Sequence, residues 1–350
     1  MAMSGGIDSS VAAMLLLEQG YELVGVTFRT FDSIKESCLA REKGCCSVES
    51  IMEAKHLAEK LGFEHHILDY RQIFRDTVIR NFVDEYMRGR TPNPCVLCNS
   101  HIKWGELFRA ADEYGCDMIA TGHYAQIAQH RGHLYLKTAA DTRKDQTYFL
   151  WMLTEDNLRR TVFPLGELTK MQVRDIAAKH GFERLSKKTE SQEICFVPDN
   201  DYRTFLAANG CQTTAGNYID KNGERLGIHQ GFCNYTIGQR KGLGVALGSP
   251  RFVTHINASS NEVTLGSHDD LLSTSVSASH VKLRDVEWLR EDPHVQARIR
   301  YRSQAVEAVI KDFGNETLML ETDSPVWAVT PGQSLVLYKN GLLVGGGFIN

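Results

Sequence analysis

The sequence predicts an α/β protein: a parallel sheet with helices on both faces, then a small β-rich central domain and a C-terminal antiparallel β-barrel. Two observations carry this prediction. Up to about residue 200, apolar segments alternate with amphipathic stretches of helical spacing, as βαβ units do. Beyond about residue 205 the chain changes to short alternating runs interrupted by Gly and Asn, which is typical of antiparallel strands.

Each element of the first part has a local signal. Glu22–Phe28 is a nearly continuous apolar run that predicts a buried strand. Val48–Leu61 places its apolar residues at helical spacing, and Gly62 ends the helix. The same patterns predict five further elements: strands at Glu64–Leu68 and Met118–Thr121, and helices at Ile73–Met87, Ile102–Tyr114 and Leu165–His180.

The second part is predicted from strand and turn signals. Asn222–Gly223 and Asn340–Gly341 are tight-turn dipeptides. Alternating runs after about residue 275 predict strands at Val281–Leu283, Val295–Tyr301, Ala305–Lys311, Thr317–Leu320, Gln333–Tyr338 and Leu342–Gly347. We therefore predict three domains with boundaries at 1–204, 205–272 and 273–350.

Composition excludes several classes of protein. The chain has 350 residues, 42% hydrophobic and 23% charged, which is ordinary globular usage and excludes a wholly disordered or low-complexity chain. The net charge of −4 excludes a uniformly basic nucleic-acid coat protein. The apolar run Val11–Leu17 is far shorter than a membrane span, and the first residues do not resemble a secretory signal. We expect a cytosolic protein without a membrane partner.

A loop for binding phosphate opens the chain. Ser4–Ser9 reads Ser-Gly-Gly-Ile-Asp-Ser, and a helical run follows directly. Adjacent glycines let the backbone N–H groups approach a ligand, and the start of a helix favours anions. The alternative, a helix-capping turn without a ligand, leaves both glycines and both serines unexplained. Only Met1–Met3 precede the loop, whereas a buried strand precedes the PP-loop of the ATP pyrophosphatases, which this segment resembles. We therefore expect the complete protein to begin further upstream.

The cysteines form the second candidate site. The chain has 9 cysteines, an odd number that argues against a disulfide scaffold. Cys95 and Cys98 form a CxxC pair after two prolines, which leaves zinc, redox and iron–sulfur chemistry open. Cys195 lies between Ile and Phe, where packing is the more common role of a cysteine. Structural or incidental use is the favoured interpretation of three others, Cys38, Cys45 and Cys46.

Together, the motifs resemble one family along the whole chain. The loop matches the PP-loop of the ATP pyrophosphatases, whose members cleave ATP between its α and β phosphates. The set of motifs resembles the tRNA-specific 2-thiouridylases, the MnmA family: SGGIDSS, GRTPNPCVLCN, ATGHYA, KDQTYFL, SQEICFVP, GQRKGLG and TPGQ, in this order. The PP-loop is shared with amidating synthetases, whereas the paired cysteine segments are specific to the thiouridylases.

The resemblance implies a reaction. Family members use ATP and Mg²⁺ to adenylate O2 of the wobble uridine in the tRNAs for Lys, Glu and Gln, and then replace this oxygen with sulfur. The sulfur arrives as a persulfide from a sulfur-carrier protein or a cysteine desulfurase. The persulfide-bearing cysteine of the family corresponds to Cys195, and the attacking thiol corresponds to Cys98. The pair then ends as a disulfide that must be reduced.

The resemblance also implies binding residues. ATP contacts are expected at Ala2, Met3, Ser4, Gly5, Gly6, Ile7, Asp8, Ser9, Phe28 and Gly122. The target base is expected at Asn93, Pro94 and Cys95, and further contacts to the tRNA anticodon stem-loop at Lys144, Asp145 and Gln146. His123 is as well explained by a structural role as by a place in the site.

The C-terminal arginines indicate RNA binding independently of the family resemblance. Arg298, Arg300 and Arg302 alternate within the predicted strand Val295–Tyr301 and just beyond it, so all three are expected on one face, where they would bind RNA phosphates. A solvated barrel face is the competing interpretation. We include Arg300 and its neighbour Tyr301 among the RNA-binding candidates.

Two alternatives stay open. Cys95 replaces an aspartate that some family members carry, so no carboxylate is assigned to acid–base work there. Cys95, Cys98 and Cys195 are instead candidate ligands of a [4Fe–4S] cluster with one open iron, as in a different PP-loop RNA sulfurtransferase. A non-catalytic RNA-binding protein with a degenerate ATP loop is the alternative from another class.

Overall fold

The computed structural model describes residues 1–31, 48–186, 194–211 and 214–350. The candidates Cys38, Cys45 and Cys46 lie outside the described residues. The chain forms two compact units. The first contains residues 1–79, 95–200 and 341–343, and the second contains residues 80–94, 201–340 and 344–350. The predicted domain boundaries stay predictions.

The described helices are, in chain order, α1 Ile7–Glu18, α2 Val48–Leu61, α3 Arg71–Phe74, α4 Arg80–Met87, α5 Pro94–Leu97, α6 Leu107–Glu113, α7 Glu155–Arg159, α8 Lys170–Lys179, α9 Glu183–Ser186, α10 Tyr202–Ala208 and α11 Val286–Glu291. Two π-helical stretches occupy Arg75–Ile79 and Cys98–Glu106. The strands are β1 Val24–Arg29, β2 Glu64–Asp69, β3 Ile119–Ala120, β4 Gln126–His130, β5 His133–Lys137, β6 Thr161–Val162, β7 Gly216–Ile219, β8 Arg225–His229, β9 Phe252–Asn257, β10 Glu262–Gly266, β11 Leu272–Leu283, β12 His294–Arg298, β13 Val306–Gly314, β14 Thr317–Trp327, β15 Ser334–Lys339 and β16 Leu342–Ile349.

The first unit is built on parallel strands. β1 pairs with β2 and β3 pairs with β6, in both cases in parallel. Residues 1–3 lie between these pairs: Ala2 forms a parallel bridge with Val26, and its N–H donates to the Ala120 carbonyl over 2.8 Å. The loop Ser4–Ser9 therefore leaves the sheet at the carboxyl ends of its strands, where open α/β sheets bind ligands.

Helix α1 fixes the loop because it is deeply buried. Val11, Ala12 and Ala13 have no exposed surface, and Leu16 is 1% exposed. They pack in a core cluster with α2 and α8 side chains, including Leu57 and Val173. Burial of apolar surface at this level holds the start of α1 in one position relative to the sheet.

The predicted helices are confirmed as helices, although some of their ends differ. The predicted helix Val48–Leu61 is α2, with the same ends. The predicted helix Leu165–His180 begins later, at Lys170, because Thr169 caps it with a capping box to Gln172. A hairpin of β4 and β5 in this unit was not predicted, and Lys137 of β5 pairs with Leu342 of β16.

The second unit contains two β-structures. The central sheet has the strand order β8–β7–β10–β9. The C-terminal strands follow the order β11–β14–β13–β12–β15–β16, and β16 pairs again with β11, which closes a six-stranded antiparallel barrel. The predicted fold class is confirmed. None of the helices that the structure describes is long and apolar enough to cross a membrane.

Candidate active site

The predicted phosphate loop has the geometry of an anion site. Gly5 has φ +65°, and a Cβ there would lie 2.0 Å from the Ser50 carbonyl oxygen, so only glycine fits against the start of α2. Gly6 is the N-cap of α1 and makes no side-chain capping bond to the first turn. The start of α1 is thus not capped by a side chain, which is the arrangement in which helix N–H groups receive an anion.

Hydroxyl groups stabilise the loop from within. The Ser9 hydroxyl donates to the Gly6 carbonyl over 3.0 Å and accepts from the Ser4 N–H over 3.2 Å. The Ser10 hydroxyl also donates to the Gly6 carbonyl, over 3.0 Å. These bonds hold the loop in a preformed turn. Of the other candidate ATP residues, Met3 and Ile7 are buried, and Ala2 forms the bridge with Val26.

A second glycine brings the end of β3 against the loop. A Cβ on Gly122 would lie 2.7 Å from the Ser9 nitrogen and 2.8 Å from the Asp8 carbonyl carbon. Phe28, at the end of β1, is half-buried and packs edge-on against Tyr70 with ring centroids 5.0 Å apart. The structure therefore places Gly122 directly on the loop and puts Phe28 at the same edge of the sheet.

Asp8 lies at the centre of a polar cluster. Its Oδ1 accepts from the Lys170 ammonium over 2.7 Å and from the Tyr124 hydroxyl over 2.8 Å. The Lys170 side chain is 11% exposed and that of Asp8 is 30% exposed. Lys170 was not predicted as a site residue. A signal existed, since Lys170 is the first residue of α8, where the helix dipole disfavours a cation.

The catalytic cysteine candidates, Cys98 and Cys195, both lie in the first unit. Cys98 is half-buried and begins the π-helical stretch Cys98–Glu106, a distortion that is common at functional sites. Cys195 is exposed, while the adjacent Phe196 is buried and packs edge-on against Phe74 at 5.6 Å. Packing is therefore the role of Phe196, and the packing interpretation of Cys195 is wrong.

Lys103 supplies a positive charge to this region. Its ammonium lies 3.5 Å from His123 Nε2, and His123 Nδ1 lies 2.9 Å from the Thr121 hydroxyl. Burial, and then Lys103, hold the pKa of His123 well below its usual value, so the imidazole is neutral. Desolvation raises the pKa of the exposed Cys95 thiol, and Lys103 opposes this shift. Cys95 and His123 thus share one cation.

The segment before the CxxC pair is held within the second unit. The Gln333 amide donates to the carbonyls of Thr91 and Pro92 over 3.0 and 2.9 Å. Asn93 is buried, and its amide donates to the Ser334 hydroxyl over 3.4 Å. The TPGQ motif therefore positions the chain that leads to Pro94, a role the sequence did not reveal.

The predicted tRNA-contacting stretch is mostly engaged within the protein. Asp145 is buried, and its Oδ1 accepts from the Ala139 N–H and the Thr147 hydroxyl over 3.1 and 3.0 Å. The Gln146 side chain accepts from the Tyr124 N–H over 2.9 Å. Lys144 is half-buried in a turn. Asp145 and Gln146 shape the loop that carries Tyr124.

The predicted arginine face is wrong. β12 ends at Arg298, and the following residues form turns, so Arg300 and Arg302 do not continue the alternation of a strand. The Arg300 guanidinium donates to the Ala328 carbonyl and to the Thr330 hydroxyl, each over 2.6 Å. Arg300 therefore tethers the loop at Thr330. Tyr301 is half-buried in the turn.

The structure does not support the predicted iron–sulfur ligand set. Across the described parts of the chain, no group of three or more His, Cys, Asp or Glu side chains is arranged to hold a metal ion. All three candidate ligands, Cys95, Cys98 and Cys195, are among the described residues.

The parallel sheet, the PP-loop and the uncapped start of α1 define a nucleotide-binding domain. Three family models match the chain. They are described as tRNA methyl transferase HUP domain for residues 1–199, tRNA methyl transferase PRC-barrel domain for 203–267 and Aminomethyltransferase beta-barrel domain for 278–349. The protein is thus a HUP-domain protein that carries two further β-domains.

Full-length relatives identify the family. The tRNA-specific 2-thiouridylase MnmA of Carboxydothermus hydrogenoformans is 46% identical over 352 residues, covering 100% of this chain and 96% of the relative. The enzyme of the same name from Amoebophilus asiaticus is 45% identical over 356 residues, covering 100% and 94%. The chain belongs to the tRNA-specific 2-thiouridylase family, which confirms the predicted resemblance. An NMN synthetase structure from Francisella tularensis is similar at a TM-score of only 0.38, with 16% identity over 61% of this chain and 77% of that one.

Proposed function

We propose that this protein makes 2-thiouridine in tRNA through adenylation at the PP-loop and sulfur transfer by Cys98 and Cys195. Its family makes it a tRNA-uridine 2-sulfurtransferase. The observation that carries the mechanism is the pairing, in one unit, of a preformed anion loop with an exposed free thiol, Cys195.

The PP-loop Ser4–Ser9 binds the ATP that is used for adenylation. The start of α1 receives the phosphates, Gly122 allows the close approach of the β3 end, and Phe28 flanks the adenine. Mg²⁺ fits this site because it binds through one or two carboxylates plus substrate phosphates, and Asp8 supplies one carboxylate. When bound, the ion neutralises phosphate charge.

Sulfur transfer is a thiol–persulfide exchange. The Cys98 thiolate attacks Sγ of the Cys195 persulfide, a Cys98–Cys195 disulfide forms and hydrosulfide leaves. Hydrosulfide displaces AMP from C2 of the adenylated uridine. An external dithiol then reduces the disulfide. A persulfide-carrying protein or a cysteine desulfurase loads Cys195, whose exposed thiol is suited to such a transfer.

The residues that contact the target base and the RNA backbone are those predicted from the sequence, with one change. Asn93, Pro94 and Cys95 line the base, and Lys144 contacts the backbone. Arg300 acts by holding its loop, which leaves Tyr301 as the candidate contact in that turn. Because a thiol stands at Cys95, no carboxylate is assigned to acid–base work at the base. We place the reaction in the cytosol.

The test is an anaerobic thiolation assay with unmodified tRNA for Glu, ATP, Mg²⁺ and a persulfide donor, with 2-thiouridine measured by mass spectrometry. Cys98→Ser and Cys195→Ser are expected to lose about 1,000-fold or more of the product rate, because each removes a reacting sulfur. Cys116→Ser, a half-buried thiol of the same unit, is the matched control and is expected to stay near native.

The persulfide gives a second readout. Cys98→Ser is expected to accumulate one extra sulfur on Cys195, seen in the mass of the intact protein. Product formation by Cys195→Ser at the native rate would contradict the assigned roles. Iron in stoichiometric amount in active protein would favour the cluster-dependent alternative.

A further inference from the structure

The cluster around Asp8 contains a cation that the proposed mechanism has not used. Lys170 is buried to 9% exposure, and its ammonium lies 2.7 Å from Asp8 in the PP-loop. The two residues are 162 positions apart in the chain. A buried ion pair adds little stability in general, because desolvation offsets most of the attraction. Stability is therefore a weak reason for this lysine.

The backbone of Lys170 is held firmly. Thr169 and Gln172 form a capping box that fixes the first turn of α8. The Lys170 N–H donates to Asp141 Oδ2 over 3.0 Å. The first turn of α8 disfavours a positive side chain through the helix dipole. The fold thus holds a cation beside the phosphate loop at a position where the helix itself disfavours one.

The atom of Asp8 that Lys170 contacts is also informative. Lys170 and the Tyr124 hydroxyl both donate to the same oxygen, Oδ1. The lysine side chain is flexible, with four methylene groups, and its ammonium binds phosphate as a point charge. An arriving polyphosphate offers this ammonium several charged oxygens. The Tyr124 hydroxyl is able to keep its bond to Asp8 when the lysine leaves.

We propose that Lys170 is a further catalytic residue of the adenylation step, which moves from Asp8 to the departing pyrophosphate. This inference rests on the proposed function. In the step, uridine O2 attacks the α-phosphorus, and the bond from that phosphorus to the oxygen bridging to the β-phosphorus breaks. The bond's electron pair leaves with pyrophosphate. Lys170 stays protonated and donates hydrogen bonds to the pyrophosphate oxygens as negative charge develops there.

The experiment measures tRNA-dependent pyrophosphate release, without a sulfur donor, in a single turnover. Lys170→Met is expected to lower the rate at saturating ATP about 100-fold, as removal of one donor to a developing oxyanion does. Lys170→Arg, which keeps the charge, is expected to retain at least about tenfold more activity than the Met variant. Lys179→Met in the last turn of the same helix is the matched control, because Lys179 is exposed.

A readout other than activity separates this role from a structural one. Binding of inorganic pyrophosphate, measured by calorimetry, is expected to weaken about tenfold or more in Lys170→Met and to stay near native in Lys179→Met. If Lys170→Met does not fold, Lys170→Gln carries the same two measurements, since its amide is able to donate to Asp8.

The outcomes are distinct. A folded Met or Gln variant that binds pyrophosphate and releases it within threefold of native would overturn the inference. Equal losses in the Met and Arg variants would also overturn it. Native protein that releases pyrophosphate but makes no 2-thiouridine would count against the cysteine roles and leave Lys170 in place.

Discussion

The cysteines of this protein differ in burial and in thiol pKa, and these differences predict different reactivities. Six cysteines lie in the described part of the chain. Cys195 is exposed, whereas Cys211 and Cys233 are buried in the second unit with their sulfurs 2.9 Å apart. Burial and then the neighbouring Cys233 raise the pKa of Cys211 to about 12. Since the thiolate is the reactive form, we expect the exposed Cys195 to react faster than Cys211.

Thiol labelling tests this expected order of cysteine reactivity. In native protein at pH 8, iodoacetamide is expected to label Cys195 first and Cys211 at least about 100-fold more slowly, because its thiolate fraction is small. Cys95 is expected to react more slowly than Cys195, since desolvation raises its pKa. Peptide mass spectrometry resolves each site, and labelling in denaturant is the control in which the rates converge. Equal native rates at Cys195 and Cys211 would contradict the assignment.

At the scale of elements, the site depends on the close approach of β3 to the start of α1. Gly122 permits it, since a Cβ there would lie within 3.0 Å of backbone atoms of Asp8 and Ser9. Backbone atoms cannot move aside as a side-chain tip does. An added methyl group must therefore shift the loop itself.

Gly122→Ala is expected to destabilise the protein by about 1–3 kcal/mol, the usual cost of overpacking, and to weaken ATP binding. Thermal unfolding and equilibrium dialysis with ATP check these two effects. Gly105→Ala is the control, because a Cβ on Gly105 would meet only the Ser100 carbonyl oxygen at 3.7 Å, an ordinary contact. Native-like ATP binding by Gly122→Ala would show that the loop does not need this contact.

Element boundaries show where sequence patterns stop being informative. The periodicity of α2 fixed its whole length, because one face is apolar throughout. The apolar residues ahead of α8 extended the prediction to Leu165, but the Thr169 cap decided the start. The alternation of Arg298, Arg300 and Arg302 in the sequence predicts a strand. In the structure the chain turns after Arg298, and Arg300 donates hydrogen bonds to the Ala328–Thr330 loop.

At the scale of the whole second unit, one buried lysine links the barrel to α11. Lys339, at the end of β15, is 6% exposed and lies 5.3 Å from the Trp288 ring. Its ammonium contacts Asp292 Oδ2 at 2.7 Å. Bonds from Lys339 and His294 hold the pKa of Asp292 well below its usual 3.8. The folded state therefore favours the charged carboxylate.

This linkage predicts a pH dependence with a definite sign. A carboxyl group with a lowered pKa contributes stability that is complete above its unfolded pKa and is lost as the pH falls below that value. Asp292→Asn is expected to melt below native at pH 7, and the difference is expected to shrink below about pH 4. Asp269→Asn, with a side chain 87% exposed, is the control. A difference that stays constant down to pH 3 would contradict the linkage.

The sequence by itself determined the fold class and the family, because the alternating apolar and amphipathic segments and the PP-loop and cysteine motifs are all local patterns. Through the family resemblance it also made Cys98 and Cys195 the candidate reacting residues. Gly5 and Gly6 before a helix, or the segments around Cys98 and Cys195, need no partner to be recognised.

Only the tertiary structure decided which distant groups meet. Lys170 reaches Asp8, Gln333 holds Thr91 and Arg300 holds Thr330. Such contacts depend on the order of strands in a sheet and on the closure of a barrel, which bring together residues far apart in the chain. Local spacing cannot encode them, because the same side chains at the same positions would lie elsewhere in another topology.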